Sequence, residues 1–322
     1  MSDYTMVREH LFTLDQQAEV RPRRPALGII GDPGVGKTTF AADAPNVVMI
    51  MTEQGADGVP VRRLPVRGKC ETWAEVLAAV DHVIANPDGV DWLALDTLSQ
   101  ACELAATHVC ERDYNGNWSP KKGTECYLSF RQGAETTKKE VQGLLARLDE
   151  LRDLGIGIML LCHTGLARQA NALGNDFMSF VGRMEKQSWD AVISWCDQVG
   201  HACRDERVIQ RQGETKYKAV AISSERWLVF DDGPGRETKS RAGYDMPARI
   251  GLSFNEYQGY LHSDPIGRVI EQIIEALSRA KDEHRVAVLS RLGADATPDS
   301  LRPLGPQKLR QCLNWLLTKE ES

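Results

Sequence analysis

A glycine-rich segment between an apolar run and a helix-compatible segment restricts the fold of this chain more than any other feature. The apolar run covers residues 26–30 and predicts a buried strand. The following segment, residues 31–38, has the spacing G-x-x-x-x-G-K-T. In this spacing the glycines let backbone N–H groups converge on phosphate oxygens, and a helix begins at the lysine. The sequence therefore predicts a strand–loop–helix unit that binds the phosphates of a nucleotide.

The residues of this loop have distinct predicted roles. Lys37 is predicted to reach the β- and γ-phosphates, and the Thr38 hydroxyl is predicted to ligate Mg²⁺. The expected ligands are thus ATP and Mg²⁺, although no base-reading motif distinguishes ATP from GTP. A glycine-rich turn that matches the spacing by accident is the alternative, and the flanking strand and helix disfavour it. The predicted nucleotide-binding residues are Gly31, Asp32, Pro33, Gly34, Val35, Gly36, Lys37, Thr38 and Thr39.

Composition limits the setting in which the chain works. No apolar run among the 322 residues approaches the roughly 20 needed to span a bilayer, and the N-terminus has no secretory hydrophobic core. We therefore expect a cytoplasmic protein that does not use a membrane. Eight cysteines without a C-x-x-C pair indicate reduced thiols, and Cys196, His201 and Cys203 do not have a recognised zinc spacing. A net charge of −6 argues against a uniformly basic surface that coats duplex DNA.

Apolar runs and helical spacing alternate along most of the chain. Such alternation, with a phosphate loop after the first strand, predicts an α/β fold whose mostly parallel sheet is covered by helices on both faces. The predicted strands are 47–51, 61–66, 92–96 and 156–162, followed by shorter β runs at 199–203, 217–222 and 227–230. The predicted helices are 72–85, 98–110, a segment with an apolar stripe from Val141 to Leu151, 184–195, and a helix that begins at 263–265.

The remaining segments complete the predicted organisation. Residues 113–126 are predicted to form an exposed loop, and residues 164–181 a mobile loop, because neither has a clean hydrophobic period. A change of composition near residue 262 separates a small helical region from the core. The predicted divisions are an N-terminal arm (1–25), an ATPase core (26–261) and a C-terminal helical region (262–322).

Polar residues follow the ends of the predicted strands, where ligands bind in parallel α/β sheets. Asp96 ends an apolar strand and suits the second metal-holding carboxylate, although it also suits a helix cap. Thr97 follows Asp96, so the water-polarising carboxylate must come from elsewhere, and Glu53 is available after the second strand. His163 ends another strand and is a candidate sensor of the γ-phosphate. For Glu53 and His163 the alternatives are a solvated loop carboxylate and a structural histidine.

Several motifs together resemble the RecA-like NTPases, and more narrowly the phage-type ATP-binding proteins that act as single-strand annealing recombinases. They are GDPGVGKTTFAADAPN (31–46), MTEQGADG (51–58), WLALDTLS (92–99), IMLLCHTGLAR (158–168) and ETKSRAGYDMP (237–247). The resemblance implies a RecA-like P-loop core, ATP hydrolysis and assembly into a ring or filament of identical subunits. It also implies that Lys239 and Arg241 reach the nucleotide of a neighbouring subunit, whereas a solvated surface turn is the alternative. The chain departs from the family at His163, where glutamine is frequent, and at 113–126.

In the same family, the loops after the aspartate strand and after the sensor strand contact single-stranded DNA. The resemblance implies that single-stranded DNA is the partner of this chain and that these loops bind it, unless their aromatic residues anchor them to the body. The candidate DNA-binding residues are Trp118, Lys121, Lys122, Arg168 and Arg183. We expect a protein that promotes annealing or strand exchange. A helicase-like motor or loader, and a nucleotide-switched interaction protein with little turnover, are the alternatives.

Overall fold

The computed structural model describes most of the chain from residue 24 onwards. The described residues are 24–55, 58–119, 125–169, 174–210, 217–231, 233, 235–241, 246–261, 265–279, 282–292, 295, 297–301, 308–309, 311–313 and 315–316. The predicted arm up to residue 23 lies outside them, as do Lys121 and Lys122 of the predicted DNA-binding set.

Ten strands within the described residues form one mixed sheet. Their order is β10-β8-β7-β1-β5-β4-β2-β3, with β6 paired to β5 and β9 paired to β7. The strands from β7 to β3 in this order run parallel, whereas β6, β8 and β9 are antiparallel to their partners. They are β1 (Ala26–Gly31), β2 (Val47–Met51), β3 (Arg62–Leu64), β4 (Trp92–Asp96), β5 (Gly157–Gln169), β6 (Phe177–Gly182), β7 (Gln198–Gln210), β8 (Tyr217–Val229), β9 (Lys239–Ser240) and β10 (Arg249–Gly251).

Helices cover both faces of the sheet. Alternate residues of β1 enter different hydrophobic clusters: Ile30 packs in a cluster with α2 to α5, and Ile29 in a cluster with α1 and α6. The described helices are α1 (Lys37–Ala42), α2 (Trp73–Ala85), α3 (Leu98–Tyr114), α4 (Gln132–Asp153), α5 (Lys186–Trp195), α6 (Phe254–Leu261), α7 (Pro265–Arg279), α8 (Asp282–Leu292) and α9 (Pro298–Leu301). The predicted α/β fold, with a mostly parallel sheet between helices, is confirmed.

Local sequence signals account for individual helices. The Thr72 hydroxyl accepts the backbone N–H of Glu75 at 3.2 Å, and the Glu75 carboxylate accepts the backbone N–H of Thr72 at 3.2 Å. This reciprocal capping box starts α2 at Trp73, as the spacing predicts. None of the helices in the described part of the chain combines the length and apolarity needed to cross a membrane.

The predicted mobile loop at 164–181 is wrong for most of its length. β5 continues past His163 to Gln169 and pairs with β6 in an antiparallel hairpin, from Thr164 opposite Gly182 to Gln169 opposite Phe177. Hydrogen bonds between the two arms stabilise the hairpin, and these depend on strand pairing rather than on a hydrophobic period. Its side chains include exposed apolar groups such as Leu166 and Met178, which is why the period is unclear.

The loop predicted at 113–126 is right in part. α3 continues to Tyr114, and the described residues 115–119 and 125 are mostly exposed. Tyr127, which follows the loop, is only 2% exposed, and its hydroxyl hydrogen-bonds to that of Thr137 at 2.8 Å. Trp118 lies with its ring centroid 4.7 Å from that of Tyr127. The buried Tyr127 ring therefore anchors the loop to the body of the protein.

The C-terminal helices have a hydrophobic cluster of their own. Ile273 and Leu277 of α7 pack in it with Leu292 of α8 and Leu301 of α9. The apolar residues of α7 in this cluster therefore form a packing surface, while the predicted boundary at residue 262 stays a prediction.

Candidate functional site

The segment 31–38 forms a tight turn between β1 and α1 that only glycine permits. Gly34 has φ +76° and Gly36 has φ +113°, both in the left-handed region that side chains with a Cβ rarely adopt. A Cβ at Gly31 would lie 2.9 Å from Val35 Cγ1, so the turn also needs glycine where it leaves the strand. The backbone thus folds closely around Lys37, as a phosphate-binding loop requires.

Lys37 lies with its ammonium group inside this loop. Its Nζ donates to the carbonyl oxygens of Gly31 at 2.6 Å and Asp32 at 3.1 Å, and the residue is only 5% exposed. Burial lowers the pKa of Lys37, while the negative charges of Asp96 and Glu53 act in the opposite direction. The ammonium group is therefore held at the loop by backbone carbonyls, in the place where the motif predicts phosphate contact.

Asp96 and Thr38 meet directly, although they belong to different elements. The Thr38 hydroxyl donates to Asp96 Oδ2 at 2.7 Å, and Asp96 is 4% exposed at the end of β4. Burial raises the pKa of Asp96, and the hydrogen bond from Thr38 opposes that rise. A carboxylate and a hydroxyl are hard oxygen donors of the kind that Mg²⁺ prefers. This pair therefore fits the predicted magnesium ligands.

Glu53 and His163 form a second polar pair at the same edge of the sheet. His163 Nε2 lies 2.8 Å from Glu53 Oε1 and 3.0 Å from Oε2. The backbone N–H of His163 donates to Ser99 Oγ at 3.0 Å, and Nδ1 is buried without a partner among the described residues. His163 thus contacts the Glu53 carboxylate through Nε2, while Nδ1 makes no hydrogen bond to a described residue.

Strand order explains why these residues come together. β5 lies between β1 and β4, so the strand that carries His163 separates the phosphate loop from Asp96. β2 lies on the other side of β4, and Met51 pairs in register with Asp96. The Thr52 hydroxyl donates to the Thr97 carbonyl at 2.8 Å and accepts the Thr97 N–H at 2.8 Å, which joins the two strand ends. Predicted residues from four strand ends therefore share one edge.

Lys239 and Arg241 lie away from the sheet edge that carries the phosphate loop. β9 pairs with the first residues of β7, beside the start of β1, and thus at the sheet edge opposite the phosphate loop. Lys239 Nζ donates to the carbonyls of Ile193 and Ser194 at 2.7 and 2.9 Å, at the end of α5. Arg241 Nη2 donates to the same Ser194 carbonyl at 2.5 Å. Within the chain both cations cap this helix, and their role in a neighbouring subunit stays a prediction.

The described candidates for DNA contact are exposed. Trp118 is 41% exposed, Arg183 is exposed, and the side chain of Arg168, 76% exposed, forms an ion pair with Asp176 at 2.9 Å. Arg168 lies on the hairpin formed by β5 and β6, which starts directly after His163. The hairpin therefore connects surface groups to the polar pair at the sheet edge.

A cavity beside the phosphate loop is lined both by loop residues and by residues that no predicted motif contains. It has a volume of about 560 Å³, and its wall includes Asp32 of the loop. His201 lines it, 6% exposed, with its ring stacked on Phe180 at 4.9 Å and its Nδ1 accepting a hydrogen bond from Arg236 Nε at 3.2 Å. Burial, with the nearby Arg236 charge, lowers the pKa of His201 to about 4, so the ring is neutral. These residues are far apart in sequence and match no motif.

The cysteines include Cys196 and Cys203, which are near His201 in the sequence. All eight cysteines are free thiols, and seven are buried. Burial raises the pKa of the Cys196 thiol to about 12, which keeps it protonated. Among the described residues, no group of three or more histidine, cysteine, aspartate or glutamate side chains is arranged so that it could hold a metal ion.

Comparisons with known proteins give one family match and one similar structure. A profile of the family described as "AAA domain" (AAA_24) matches residues 23–242. A crystal structure of a KaiC-like protein from the hyperthermophilic archaeon Pyrococcus horikoshii is similar at 10% identity over 71% of this chain and 85% of that chain, with a TM-score of 0.36. A search of curated proteins finds no significant match. The chain belongs to the AAA_24 family of AAA domains, and this membership supports a P-loop NTPase core.

Proposed function

We propose that the chain is an ATPase of RecA-like organisation that binds single-stranded DNA as a homo-oligomer and promotes annealing or strand exchange. One observation carries the proposal. The phosphate loop, the Thr38–Asp96 pair and the Glu53–His163 pair occupy one sheet edge, and the His163 strand continues directly into an exposed hairpin. Nucleotide chemistry and a surface for a partner are thus joined through one strand.

Each side chain at this edge of the sheet has a separate role in the proposed hydrolysis of ATP. Loop N–H groups and the Lys37 ammonium would bind the β- and γ-phosphates, and Thr38 with Asp96 would hold Mg²⁺, which would neutralise phosphate charge. Glu53 orients the attacking water and accepts its proton. In the structure, His163 Nε2 lies within 3.0 Å of both oxygens of the Glu53 carboxylate, and these oxygens keep further lone pairs that can accept a hydrogen bond from the water.

The hairpin supplies the proposed link to DNA. Its exposed side chains combine apolar groups (Leu166 and Met178) with the cation Arg168, and Arg183 follows its second arm. Cations that neutralise phosphates and apolar or aromatic groups that contact bases are the usual means of binding single strands. DNA on the hairpin would displace the backbone at Thr164, and through it the histidine that holds Glu53.

Steady-state ATP hydrolysis, measured with and without single-stranded DNA, tests the proposal, and Lys37→Ala provides the blank. We expect hydrolysis that Lys37→Ala abolishes and that rises strongly with single strands but little with duplex. Slow hydrolysis that DNA does not change would support the nucleotide-switched interaction protein instead. Directional unwinding of a forked duplex would support a motor or loader.

A second measurement addresses the subunit interface. If Lys239 and Arg241 act on a neighbouring nucleotide, they must release the Ser194 carbonyl on assembly. Mixing Lys37→Ala subunits with Arg241→Ala subunits should then restore part of the activity, because some interfaces combine an intact loop with an intact arginine. Absence of any restoration, with oligomers of normal size, would remove the trans role and leave the rest of the proposal.

A further inference from the structure

Arg226 lies against the phosphate loop, although it is far from it in sequence. It belongs to β8, where it pairs with Arg204 of β7. A Cβ built on Gly36 would lie 2.8 Å from Arg226 Nη1 and 3.8 Å from its Cδ. The guanidinium group therefore packs on the loop backbone at the residue directly before Lys37.

The sheet determines this position. The Arg226 carbonyl accepts the backbone N–H of Leu252 at 2.8 Å, and the Leu252 side chain also lies 3.4 Å from the Cβ position of Gly36. Leu228, two residues further along the same face of β8, is fully buried in the cluster that contains Val35. Both neighbours hold the backbone of Arg226 beside the loop, so its placement does not depend on a long mobile segment.

The guanidinium group has no hydrogen bond or ion pair with any described residue, and its side chain is exposed. Nearby arginines differ. Arg249 lies 4.0 Å over the Trp227 ring and pairs with Asp205 at 3.5 Å, and Arg236 donates to His201. Arg226 therefore keeps its donors available next to the loop while these neighbours use theirs.

We propose that Arg226 is a nucleotide-binding residue whose guanidinium group donates hydrogen bonds to the phosphate chain of the nucleotide held in the loop of the same subunit. The proposal rests on the nucleotide-dependent function proposed above. Lys37 and Arg226 lie beside the same stretch of backbone, so their positive charges repel each other. A negatively charged polyphosphate between them attracts both cations. The planar fork of a guanidinium suits phosphate oxygens better than an ammonium does.

Equilibrium binding of ATP and ADP analogues with a fluorescent group on the ribose tests this role. The measurement uses the full chain with Mg²⁺, and fluorescence anisotropy gives the Kd. Arg226→Ala should weaken the binding of both nucleotides about 10- to 100-fold, the range for losing a charged hydrogen bond. Arg226→Lys should recover part of that loss, since it restores the charge without the fork. The thermal unfolding midpoint of both variants should equal that of the wild type, because the side chain is exposed.

Arg204→Ala is the matched control, since it removes the same charge from the cross-strand neighbour on the same face of the sheet. Its Kd should stay within about threefold of the wild type, because Arg204 lines the cavity beside the loop but does not pack on Gly36, and a more distant charge is screened by salt. Equal weakening in both alanine variants would overturn the proposal in favour of long-range attraction. Wild-type affinity in Arg226→Ala would overturn it too, while leaving the proposed function intact. Failure of the wild-type chain to bind either analogue would overturn both.

Discussion

Asp197 is the residue whose removal should destabilise the core most specifically. It is 6% exposed directly before β7, and its carboxylate accepts hydrogen bonds from three residues. Arg152 of α4 donates to Oδ2, the Ala26 N–H of β1 donates to Oδ2 at 3.0 Å, and Arg241 donates to Oδ1 at 3.1 Å. Arg152 is itself only 7% exposed. Asp197→Ala therefore leaves a buried guanidinium without its main partner.

The expected magnitude follows from these contacts. Removing one partner of a buried ion pair costs about 3–5 kcal/mol, because the remaining charge stays buried. The orphaned Ala26 N–H adds to this, but the contributions share one carboxylate and do not sum, so we expect about 4 kcal/mol for Asp197→Ala. An unfolding entropy of about 2.1 cal/mol/K per residue gives about 0.7 kcal/mol/K for 322 residues, so the unfolding midpoint should fall by about 6 °C.

Asp149→Ala is the matched control for this prediction. Its carboxylate contacts the same Arg152 at 3.4 Å, but its side chain is 39% exposed, and it also accepts Trp195 Nε1 at 2.9 Å. A partly exposed pair of this kind should contribute about 1 kcal/mol. Urea unfolding followed by tryptophan fluorescence gives both values. Equal midpoint shifts for the two variants would refute the reasoning that burial at Asp197 determines the cost.

Three further predictions concern the site and the core. Glu53→Gln should keep nucleotide affinity within about threefold while hydrolysis falls about 10²- to 10⁴-fold, and hydrolysis at the wild-type rate would exclude Glu53 as the base. The pKa of His201 is lowered to about 4 in the folded chain, so as the pH falls the unfolded state binds a proton at this histidine before the folded state does. The neutral His201 therefore contributes up to about 3 kcal/mol of stability above about pH 6.5. This contribution is lost as the pH falls towards 4. Urea midpoints at pH 7 and pH 5 should accordingly differ less in His201→Asn than in the wild type, and equal differences would contradict this. Gly157→Ala should cost about 1–3 kcal/mol, because its Cβ would lie 2.4 Å from the Trp92 ring, whereas Gly143→Ala, with only Arg147 Nη1 at 3.9 Å, should be neutral or slightly stabilising in thermal unfolding.

Local patterns predicted the elements that are buried and regular. The strands at 47–51 and 92–96 and the helix that begins at Trp73 have the predicted bounds within a residue or two. Burial on both faces produces continuous apolar runs, and a capping box marks a helix start without help from the rest of the chain. The segment at 164–181 lacked such a signal because its hairpin is partly exposed, and the pairing of its two arms depends on backbone hydrogen bonds rather than on a hydrophobic period.

Roles at the site divide in the same way. The glycine spacing of the phosphate loop predicts its left-handed backbone at Gly34 and Gly36, because few other residues adopt that conformation. For Lys239, near the end of the core, the local sequence does not specify the contact that the side chain makes. Its motif implies a contact with another subunit, while the structure places its ammonium group on the end of α5. A short charged motif does not specify which carbonyl or phosphate lies within its reach.

The sequence by itself determined that the chain has a phosphate loop on a parallel α/β sheet. The spacing of glycines predicts the loop, and the local hydrophobic periods predict the alternating strands and helices. Tertiary structure alone decided which strand ends adjoin. The insertion of β5 between β1 and β4 places His163 beside Glu53, and the antiparallel return of β8 places Arg226 on Gly36. Strand order depends on how whole faces pack against helices, and that free energy is summed over residues distant in sequence.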